Sequence, residues 1–223
     1  MEHYSVAIDG PSGVGKSTIA KRLAKRLYYA YIDTGAMYRA VALLAIEQGV
    51  AFDDAEGLTA LIRDNDISLE PAPSGCRVLI NGKDVSRDIR LPEVGNAASP
   101  VSAVAEVRSL LVAMQQELAA RRPVVMDGRD IGTVVLPDAA CKVFLTASTR
   151  VRARRRANEL LQKGMTVDID QVEREIIERD ERDSTRAASP LRQAEDAVLV
   201  DSSDMGIEEV VCRIIELAEG QTS

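Results

Sequence analysis

An eight-residue stretch near the start of the chain, GPSGVGKS at positions 10–17, constrains the fold more than any other feature. It fits the pattern G-x-x-x-x-G-K-[ST]. The residues before it, YSVAID, predict a short strand, and KSTIAKRLAKRL from Lys16 onward places apolar side chains at helical spacing. A glycine-rich loop in that position turns its backbone N–H groups toward phosphate oxygens, and the following helix adds a partial positive charge. We therefore expect the chain to bind a nucleoside triphosphate or a ligand of that shape.

Two side chains of this phosphate-binding loop have expected roles of their own. Lys16 is expected to reach the β- and γ-phosphates of the donor, and the Ser17 hydroxyl is expected to bind Mg²⁺. The residues predicted to bind the phosphate donor are Gly10, Pro11, Ser12, Gly13, Val14, Gly15, Lys16, Ser17 and Thr18.

The remainder of the chain alternates between strand and helix patterns. Further strands are predicted at residues 28–33, 124–127, 142–147 and 197–203. Helices are predicted between them, among others at residues 36–48, 53–64 and 170–183. This alternation predicts an α/β fold with a parallel sheet covered by helices on both faces.

One stretch departs from this rhythm. Residues 66–70 and 76–85 alternate with period two, and the pair Asn81-Gly82 is a turn signal between strands. We interpret residues 66 to about 100 as a small β-rich insert in the α/β core.

The histidine and cysteine content of the chain limits the kinds of catalytic and metal sites that it can form. His3 is the only histidine, so a histidine base or a histidine-bound metal is not expected. The three cysteines, at positions 76, 141 and 212, have neither disulfide-framework nor zinc spacing and fit a reducing compartment.

No apolar run reaches the ~18 residues that span a bilayer, and the N-terminus lacks a signal-peptide pattern. A net charge of −7 without tryptophan argues against general nucleic-acid binding, so we expect a cytoplasmic protein with no membrane or nucleic-acid partner.

The loop alone is compatible with a GTPase switch, a nucleic-acid or transport ATPase, or a small-molecule kinase. The guanine-specifying Asn-Lys-x-Asp is absent, because the nearest string, NGKD at 81–84, has the wrong order. An LSGGQ-type transporter signature is also absent. These absences favour a kinase.

Arginines are concentrated in one run, at positions 150, 152, 154, 155 and 156. Such a run is either a solvated basic face that attracts RNA or a mobile lid that closes over transferring phosphates. The acidic balance of the chain favours the lid. If the acceptor is itself a phosphate, it is already ionised and needs no general base, so the scarcity of histidine favours a nucleoside monophosphate kinase. Another small-molecule kinase remains the main alternative, ahead of a GTPase or an RNA-interacting ATPase.

Six further segments then make the chain recognisable. They are IDGPSGVGKST, DTGAMYRA, NAAS, VR at 107–108, DGRDIGTVVLPDA and RDERDSTRAASPL. In this order and spacing the chain resembles the bacterial cytidylate kinases over about residues 4–217. The resemblance implies a P-loop kinase core of five parallel strands, formed by residues 1–65 and 101–223, with a lid at about 150–165. It also implies that residues 66–100 are a monophosphate-binding insert.

The resemblance further implies a monomer that transfers the γ-phosphate of ATP to CMP or dCMP with Mg²⁺. Some members of that family carry glycine where this chain has Ser17, so the metal is held either by this hydroxyl or by water and phosphate alone. The residues implied for the cytosine are Ser99, Arg108 and Asp130. Those implied for the sugar are Arg179 and Asp183, and those for the acceptor phosphate are Arg39, Arg129 and Arg186. Thr34 and Asp127 are expected in the same crevice, Arg154 and Arg155 at the donor, and Lys16, Arg129 and Arg179 in catalysis.

The segment DGRD at 127–130 supports part of this assignment independently. It closes a predicted strand at its carboxyl end, where open α/β sheets bind their ligands. Gly128 permits a tight turn, Arg129 can face phosphate, and Asp130 can accept from an amino group such as N4 of cytosine.

Overall fold

The computed structural model describes residues 4–72, 75–162 and 164–220, and its centre is a parallel sheet of five strands. Strands and helices are numbered in chain order. The strands of this sheet are β1 (Ser5–Asp9), β2 (Ala30–Asp33), β6 (Val124–Asp127), β7 (Cys141–Thr146) and β8 (Val198–Asp201). Their order across the sheet is β2–β6–β1–β7–β8, and every neighbouring pair is parallel. The expectation of a parallel α/β sheet is confirmed.

Helices cover both faces of the sheet. They are α1 (Lys16–Leu27), α2 (Thr34–Gln48), α3 (Ala55–Asp64), α4 (Pro92–Val101), α5 (Ala105–Ala120), α6 (Thr149–Gln162), α7 (Ile169–Thr185) and α8 (Ile207–Gly220). Alternate residues of β1 point to opposite faces. Val6 and Ile8 belong to the core formed with α1 and α8, whereas Ala7 packs with Met126 of β6 in the core on the other face.

Local backbone contacts explain why β2 begins later, and α2 earlier, than the sequence pattern predicts. Tyr28 ends α1 in the left-handed region at φ +57°, with its N–H bonded to the Ala24 carbonyl, so β2 begins at Ala30. Asp33 caps α2 by accepting a hydrogen bond from the Ala36 N–H at 2.9 Å, so that helix begins at Thr34.

The predicted insert begins as a separate antiparallel sheet of β3 (Ile67–Ala72), β4 (Gly75–Ile80) and β5 (Lys83–Asp84). Asn81 and Gly82 both have positive φ, as the tight hairpin turn requires. Beyond Asp84 the chain is helical rather than β-rich. A 3₁₀ turn leads into α4, which begins with proline at its first position and packs its apolar side on α2.

Three expectations concern residues outside the described ranges. His3 lies outside the described residues, as do two residues of the insert and one residue of the predicted lid. Within the described ranges, no single helix is both long and apolar enough to cross a membrane. By length and composition only, α4 and α5 pass that test together, across a bend of 103°.

Candidate active site

The glycine-rich loop joins β1 to α1 at the carboxyl edge of the large sheet. Gly10 has φ +146°, and a Cβ built there would lie 2.0 Å from the Leu145 carbonyl oxygen of β7. Only glycine allows that close approach. Gly15, at φ +97°, directly precedes α1. The first turn of a helix has N–H groups without partners in the preceding turn, and such groups bind anions.

The Lys16 ammonium group is buried within the loop. Its Nζ donates hydrogen bonds to the carbonyl oxygens of Gly10 and Pro11, both at 2.7 Å. Burial lowers the pKa of Lys16 well below its ordinary value, and the neighbouring Arg129 lowers it further. The charge of Asp127 opposes this shift. A buried cation held in this way is stabilised by any anion that enters the loop.

Asp127, the last residue of β6, joins several elements. Its Oδ2 accepts from Ser17 Oγ at 2.9 Å, and its Oδ1 accepts from Tyr31 OH at 2.8 Å. Its backbone carbonyl accepts from Thr34 Oγ1 at 2.8 Å. Burial raises the pKa of this carboxyl, with a further contribution from the charge of Asp33. The structure therefore brings Ser17, Thr34 and Asp127 together.

Asp130 and Arg108 form an ion pair whose side chains are 6% and 4% exposed. The second carboxylate oxygen of Asp130 lies 3.9 Å from Nη2 of Arg186. The Arg108 guanidinium also lies over the ring of Tyr38, 5.3 Å from its centroid. Its Nη1 donates to the Ser102 carbonyl at 3.1 Å. Arg108 is thus held in one orientation with its partner.

Ser99, the third residue implied for the base, lies on α4 and is buried. Its backbone carbonyl accepts from Ser102 Oγ at 2.8 Å. Ser102 in turn accepts from Arg108, so Ser99 reaches the ion pair through one intervening residue.

A second cluster of charges lies on α7 and the turn after β6. Arg129 Nε donates to Asp183 Oδ2 at 2.8 Å. Burial favours a raised pKa for Asp183, but the charges of Arg129 and Arg179, and the hydrogen bond from Arg129, hold it below its ordinary value. Burial and the charge of Arg129 lower the pKa of Arg179 to about 10. Burial and the charge of Arg108 likewise lower the pKa of Arg186.

The arginines of this crevice retain hydrogen-bonding capacity. Arg39 Nη2 donates to Asp33 Oδ2 at 2.9 Å. Within the described residues, however, four buried arginine nitrogens have no hydrogen-bond acceptor. They are Nε of Arg39, Arg108 and Arg179, and Nη2 of Arg186. Buried donors without acceptors are costly, and a ligand rich in acceptor oxygens removes that cost.

The arginine run at 150–156 divides into different environments. Arg154 is exposed, whereas Arg155 donates to the Val14 carbonyl of the loop at 3.3 Å and to Ser202. Arg150 and Arg156 pair with acids at the surface. Of the two predicted donor-binding arginines, only Arg155 contacts the loop. Thr18, which was also predicted to bind the donor, has an exposed side chain.

Some site residues were not predicted from the sequence. Asp9 ends β1 and accepts from the N–H groups of Ile131 and Gly132, at 2.8 and 2.7 Å. Those two residues follow Asp130, so Asp9 fixes the turn that carries it. Asp33 ends β2 at the same sheet edge. The rule that identified Asp127, a polar residue at the carboxyl end of a buried strand, would have identified both.

The oxygen atoms beside the loop suit a hard cation. Ser17 Oγ and the Asp127 carboxylate lie within one hydrogen bond of each other, and Mg²⁺ commonly takes one or two protein oxygens together with phosphate and water. No cluster of three or more histidine, cysteine or acidic side chains suitable for a metal occurs in residues 4–72, 75–162 and 164–220. The donor set therefore fits a metal that arrives with a nucleotide.

Comparison with known proteins places these observations in a family. A family model described as cytidylate kinase matches residues 6–220. The cytidylate kinase of Exiguobacterium sibiricum is 53% identical over 99% of this chain and 99% of its own length. That of Carboxydothermus hydrogenoformans is 50% identical over 95% of this chain and 96% of its own.

Similarity to solved structures concerns the fold alone. A shikimate kinase from Bacteroides thetaiotaomicron aligns with a TM-score of 0.50 at 18% identity, covering 97% of this chain and 98% of its own. An uncharacterized protein from Eubacterium ventriosum aligns with a TM-score of 0.53 at 13% identity, covering 98% and 99%. Both are compatible with the α/β architecture described above.

Proposed function

Because the chain belongs to the cytidylate kinase family and is therefore a kinase acting on cytidylate, we propose that it transfers the γ-phosphate of ATP to CMP or dCMP at the crevice described above. The products are CDP and dCDP. Family membership favours this reading over a GTPase, an RNA-interacting ATPase or a kinase for another small molecule.

The observation that carries the proposal is a cluster of cationic side chains beside the loop that lie close to one another and retain unused hydrogen-bond donors. Burial and like-charge neighbours lower the pKa values of Lys16, Arg179 and Arg186, and buried arginine donors lack acceptors. Charges of one sign crowd together at a cost that an anionic ligand relieves. Phosphoryl transfer between two nucleotides brings several phosphates into one place and depends mainly on positioning and charge neutralisation.

On the donor side, the loop and Lys16 bind the triphosphate, with Arg155 contacting the loop from α6. Mg²⁺, when bound, supplies charge neutralisation between the phosphates. Ser17 Oγ and Asp127 are the protein oxygens that would hold it. Lys16 would exchange its bonds to the loop carbonyls for bonds to phosphate oxygens.

On the acceptor side, Asp130 and Arg108 bind the cytosine, together with Ser99. An ionised carboxylate only accepts hydrogen bonds and a guanidinium only donates them, which matches the N4 amino group and the O2 and N3 acceptors of cytosine. The pair is already formed and buried, so little conformational freedom is lost when the base binds.

Arg179 and Asp183 bind the sugar, and Arg39, Arg129 and Arg186 bind the acceptor phosphate, with Thr34 beside them. The bond between Arg129 and Asp183 couples the two groups of residues. The acceptor phosphate is ionised near neutral pH, so none of these residues has to act as a general base. Lys16, Arg129 and Arg179 neutralise the charge that develops during transfer.

We also propose that residues 66–100 are a monophosphate-binding insert and that about 150–165 act as a lid over the donor. The enzyme is proposed to act on free nucleotides as a cytoplasmic monomer, without a membrane or nucleic-acid partner. The pairing of Arg150 and Arg156 with surface acids reduces the positive charge available to RNA.

A coupled assay of ADP production tests the proposal. The common nucleoside monophosphates are each supplied with ATP, with and without Mg²⁺. We expect CMP and dCMP to have the highest kcat/KM and turnover to require the metal. A higher kcat/KM for a purine monophosphate, or for a non-nucleotide acceptor, would contradict the proposal.

A further inference from the structure

One arginine of the run at 150–156 is buried and lies against the phosphate-binding loop. Arg152 of α6 forms an ion pair with Asp180 of α7, with Nη1 2.6 Å from Oδ2. The Arg152 side chain is 6% exposed and that of Asp180 is 22% exposed. Arg152 Nε also donates to the Ala147 carbonyl at 3.0 Å, which ties its guanidinium to the end of β7. The pair joins α6, which forms most of the predicted lid, to α7.

Both members of this pair bind the backbone of the same loop residue. Arg152 Nη1 donates to the Ser12 carbonyl at 2.9 Å. The Ser12 N–H donates to Asp180 Oδ1 at 3.2 Å. Both polar groups of the Ser12 backbone are therefore bound by one ion pair that reaches it from α6 and α7.

The peptide group that precedes Ser12 is bound by Asp180 on one side and by Lys16 on the other. Its carbonyl belongs to Pro11 and accepts from Lys16 Nζ at 2.7 Å, while its N–H is the one bound to Asp180. No cis peptide bond occurs in the described residues, and the C=O and N–H of a trans peptide point in opposite directions. Lys16 and Asp180 therefore lie on opposite sides of one planar group. Rotation of that group away from Asp180 would also displace the carbonyl that holds the Lys16 ammonium.

We propose that Arg152 and Asp180 are positioning residues for phosphoryl transfer. Asp180 sets the orientation of the Pro11–Ser12 peptide group, and Arg152 sets that of the Ser12–Gly13 group. Together they determine the shape of the loop that receives the donor triphosphate and, before the donor binds, the location of Lys16. Neither side chain has to touch the nucleotide. The inference rests on the proposed function in that the donor binds at this loop.

Arg152 and Asp180 depend on each other, because each neutralises the other's charge. Arg152 is buried, so removal of Asp180 leaves a cation without its partner and frees the Ser12 N–H. Removal of Arg152 frees the Ser12 carbonyl and leaves Asp180 without its charge partner. Each single substitution breaks the same ion pair and releases one of the two peptide groups that flank Ser12. The two residues belong to one network, so the double substitution is expected to add little to either single one.

The test compares Asp180→Asn, Asp180→Ala, Arg152→Ala and the double Ala variant with the wild type. Glu181→Gln is the matched control, because it removes one negative charge from an exposed neighbouring position on α7. We expect kcat/KM for ATP to fall about 10- to 100-fold in the Ala variants, because a small misplacement of a binding group is costly. The KM for CMP should stay within about twofold, and the double variant should resemble the single ones. Asp180→Asn retains an oxygen that can accept from Ser12 and should lose less than Asp180→Ala.

Rates are expressed per folded enzyme, from melting curves measured in the same buffer. Unchanged ATP kinetics per folded molecule, with only a lower melting temperature, would show a purely structural pair and overturn the inference. A raised KM for CMP with unchanged ATP kinetics would overturn it as well.

Calorimetric binding of ATP to the same variants, in the absence of CMP, separates this inference from the proposed function. A wild type that fails to phosphorylate CMP contradicts the proposed function. Weaker ATP binding by Asp180→Ala than by Glu181→Gln still supports the positioning role in that case, and equal binding overturns it.

Discussion

Ser17 Oγ donates a hydrogen bond of 2.9 Å to Asp127 Oδ2, which joins the first turn of α1 to the end of β6. This contact brings together the two protein oxygens best placed for a metal ion. The sequence left open whether Ser17 or only water and phosphate hold the metal, and a substitution of Ser17 can distinguish the two.

Ser17→Ala should weaken the binding of Mg²⁺ if the hydroxyl is a metal ligand. We expect the Mg²⁺ concentration at half-maximal rate to rise about tenfold, a typical effect of losing one contact at a metal site. The measurement is a Mg²⁺ titration at saturating CMP with ATP held constant. Ser109→Ala, an exposed hydroxyl on α5, is the control. An unchanged titration in Ser17→Ala would mean that water and phosphate alone hold the metal.

Lys16→Met should abolish turnover and leave the fold intact. Lys16 is proposed to neutralise charge that develops between donor and acceptor, and an apolar chain of similar length cannot do so. Steady-state activity is measured beside thermal melting, with Lys25→Met on the exposed side of α1 as the control. Activity of Lys16→Met within a few-fold of wild type would exclude the proposed role of the loop.

Asp183→Ala should raise the KM for CMP and dCMP while sparing ATP binding. Asp183 is proposed to bind the sugar, and its bond to Arg129 means that the substitution also releases a phosphate-binding arginine. We therefore expect kcat to fall together with the rise in acceptor KM. Glu178→Ala, exposed on the same helix, is the control. A loss of ATP affinity without a change in acceptor KM would assign this part of α7 to the donor.

The sequence was most informative where a pattern is local. The strands of the large sheet, the loop, and the turn at Asn81-Gly82 each follow from residues close together in the chain, and the structure confirms them. The helical character of residues 88–101 was missed, because α4 is stabilised by packing on α2 rather than by a strong pattern of its own.

The sequence predicted which types of residue form the candidate site, but not how their side chains are arranged. That Arg152 is buried while Arg154 is exposed depends on how α6 is rotated against the loop, and a run of arginines carries no signal of that rotation. The bond between Arg129 and Asp183 spans 54 positions and depends on how α7 crosses the sheet edge. The roles assigned to these residues remain predictions.

Asp9→Asn should remove a pH dependence from the free energy of unfolding. Burial raises the pKa of Asp9 from 3.8 to about 6, and the hydrogen bonds from Gly132 and Ile131 only partly oppose this. The folded state therefore binds the proton more tightly than the unfolded state, so ionisation of Asp9 lowers stability as the pH rises from about 4 to about 6. Between pH 4.5 and 7.5 the wild type should lose on the order of 2 kcal/mol relative to Asp9→Asn.

Urea denaturation at those two pH values gives the comparison. The asparagine can accept from only one of the two N–H groups that Asp9 satisfies, so the variant's absolute stability is not the readout. Parallel pH profiles for the two proteins would contradict a raised pKa at Asp9.

Asp130 is proposed to recognise the base. Cytosine presents an amino donor at N4 and an acceptor at N3, whereas uracil presents an acceptor at O4 and a donor at N3. An ionised Asp130 should favour the amino group and repel O4, because it can only accept. Asp130→Asn offers both a donor and an acceptor. It should cost CMP a charged hydrogen bond of about 1.5–3 kcal/mol and relieve the repulsion against UMP.

The ratio of kcat/KM for CMP to that for UMP is the proper measure. Asp130 is buried between Arg108 and Arg186, so its neutralisation leaves those cations less compensated and lowers stability. A loss of folded enzyme affects both substrates equally and cancels in the ratio. We expect the ratio to fall about tenfold or more, since each ~1.4 kcal/mol corresponds to one decade. Asp138→Asn, an exposed carboxylate beyond the same turn, should leave it unchanged. Equal slowing of CMP and UMP by Asp130→Asn would mean that Asp130 positions Arg108 or a phosphate and does not read the base.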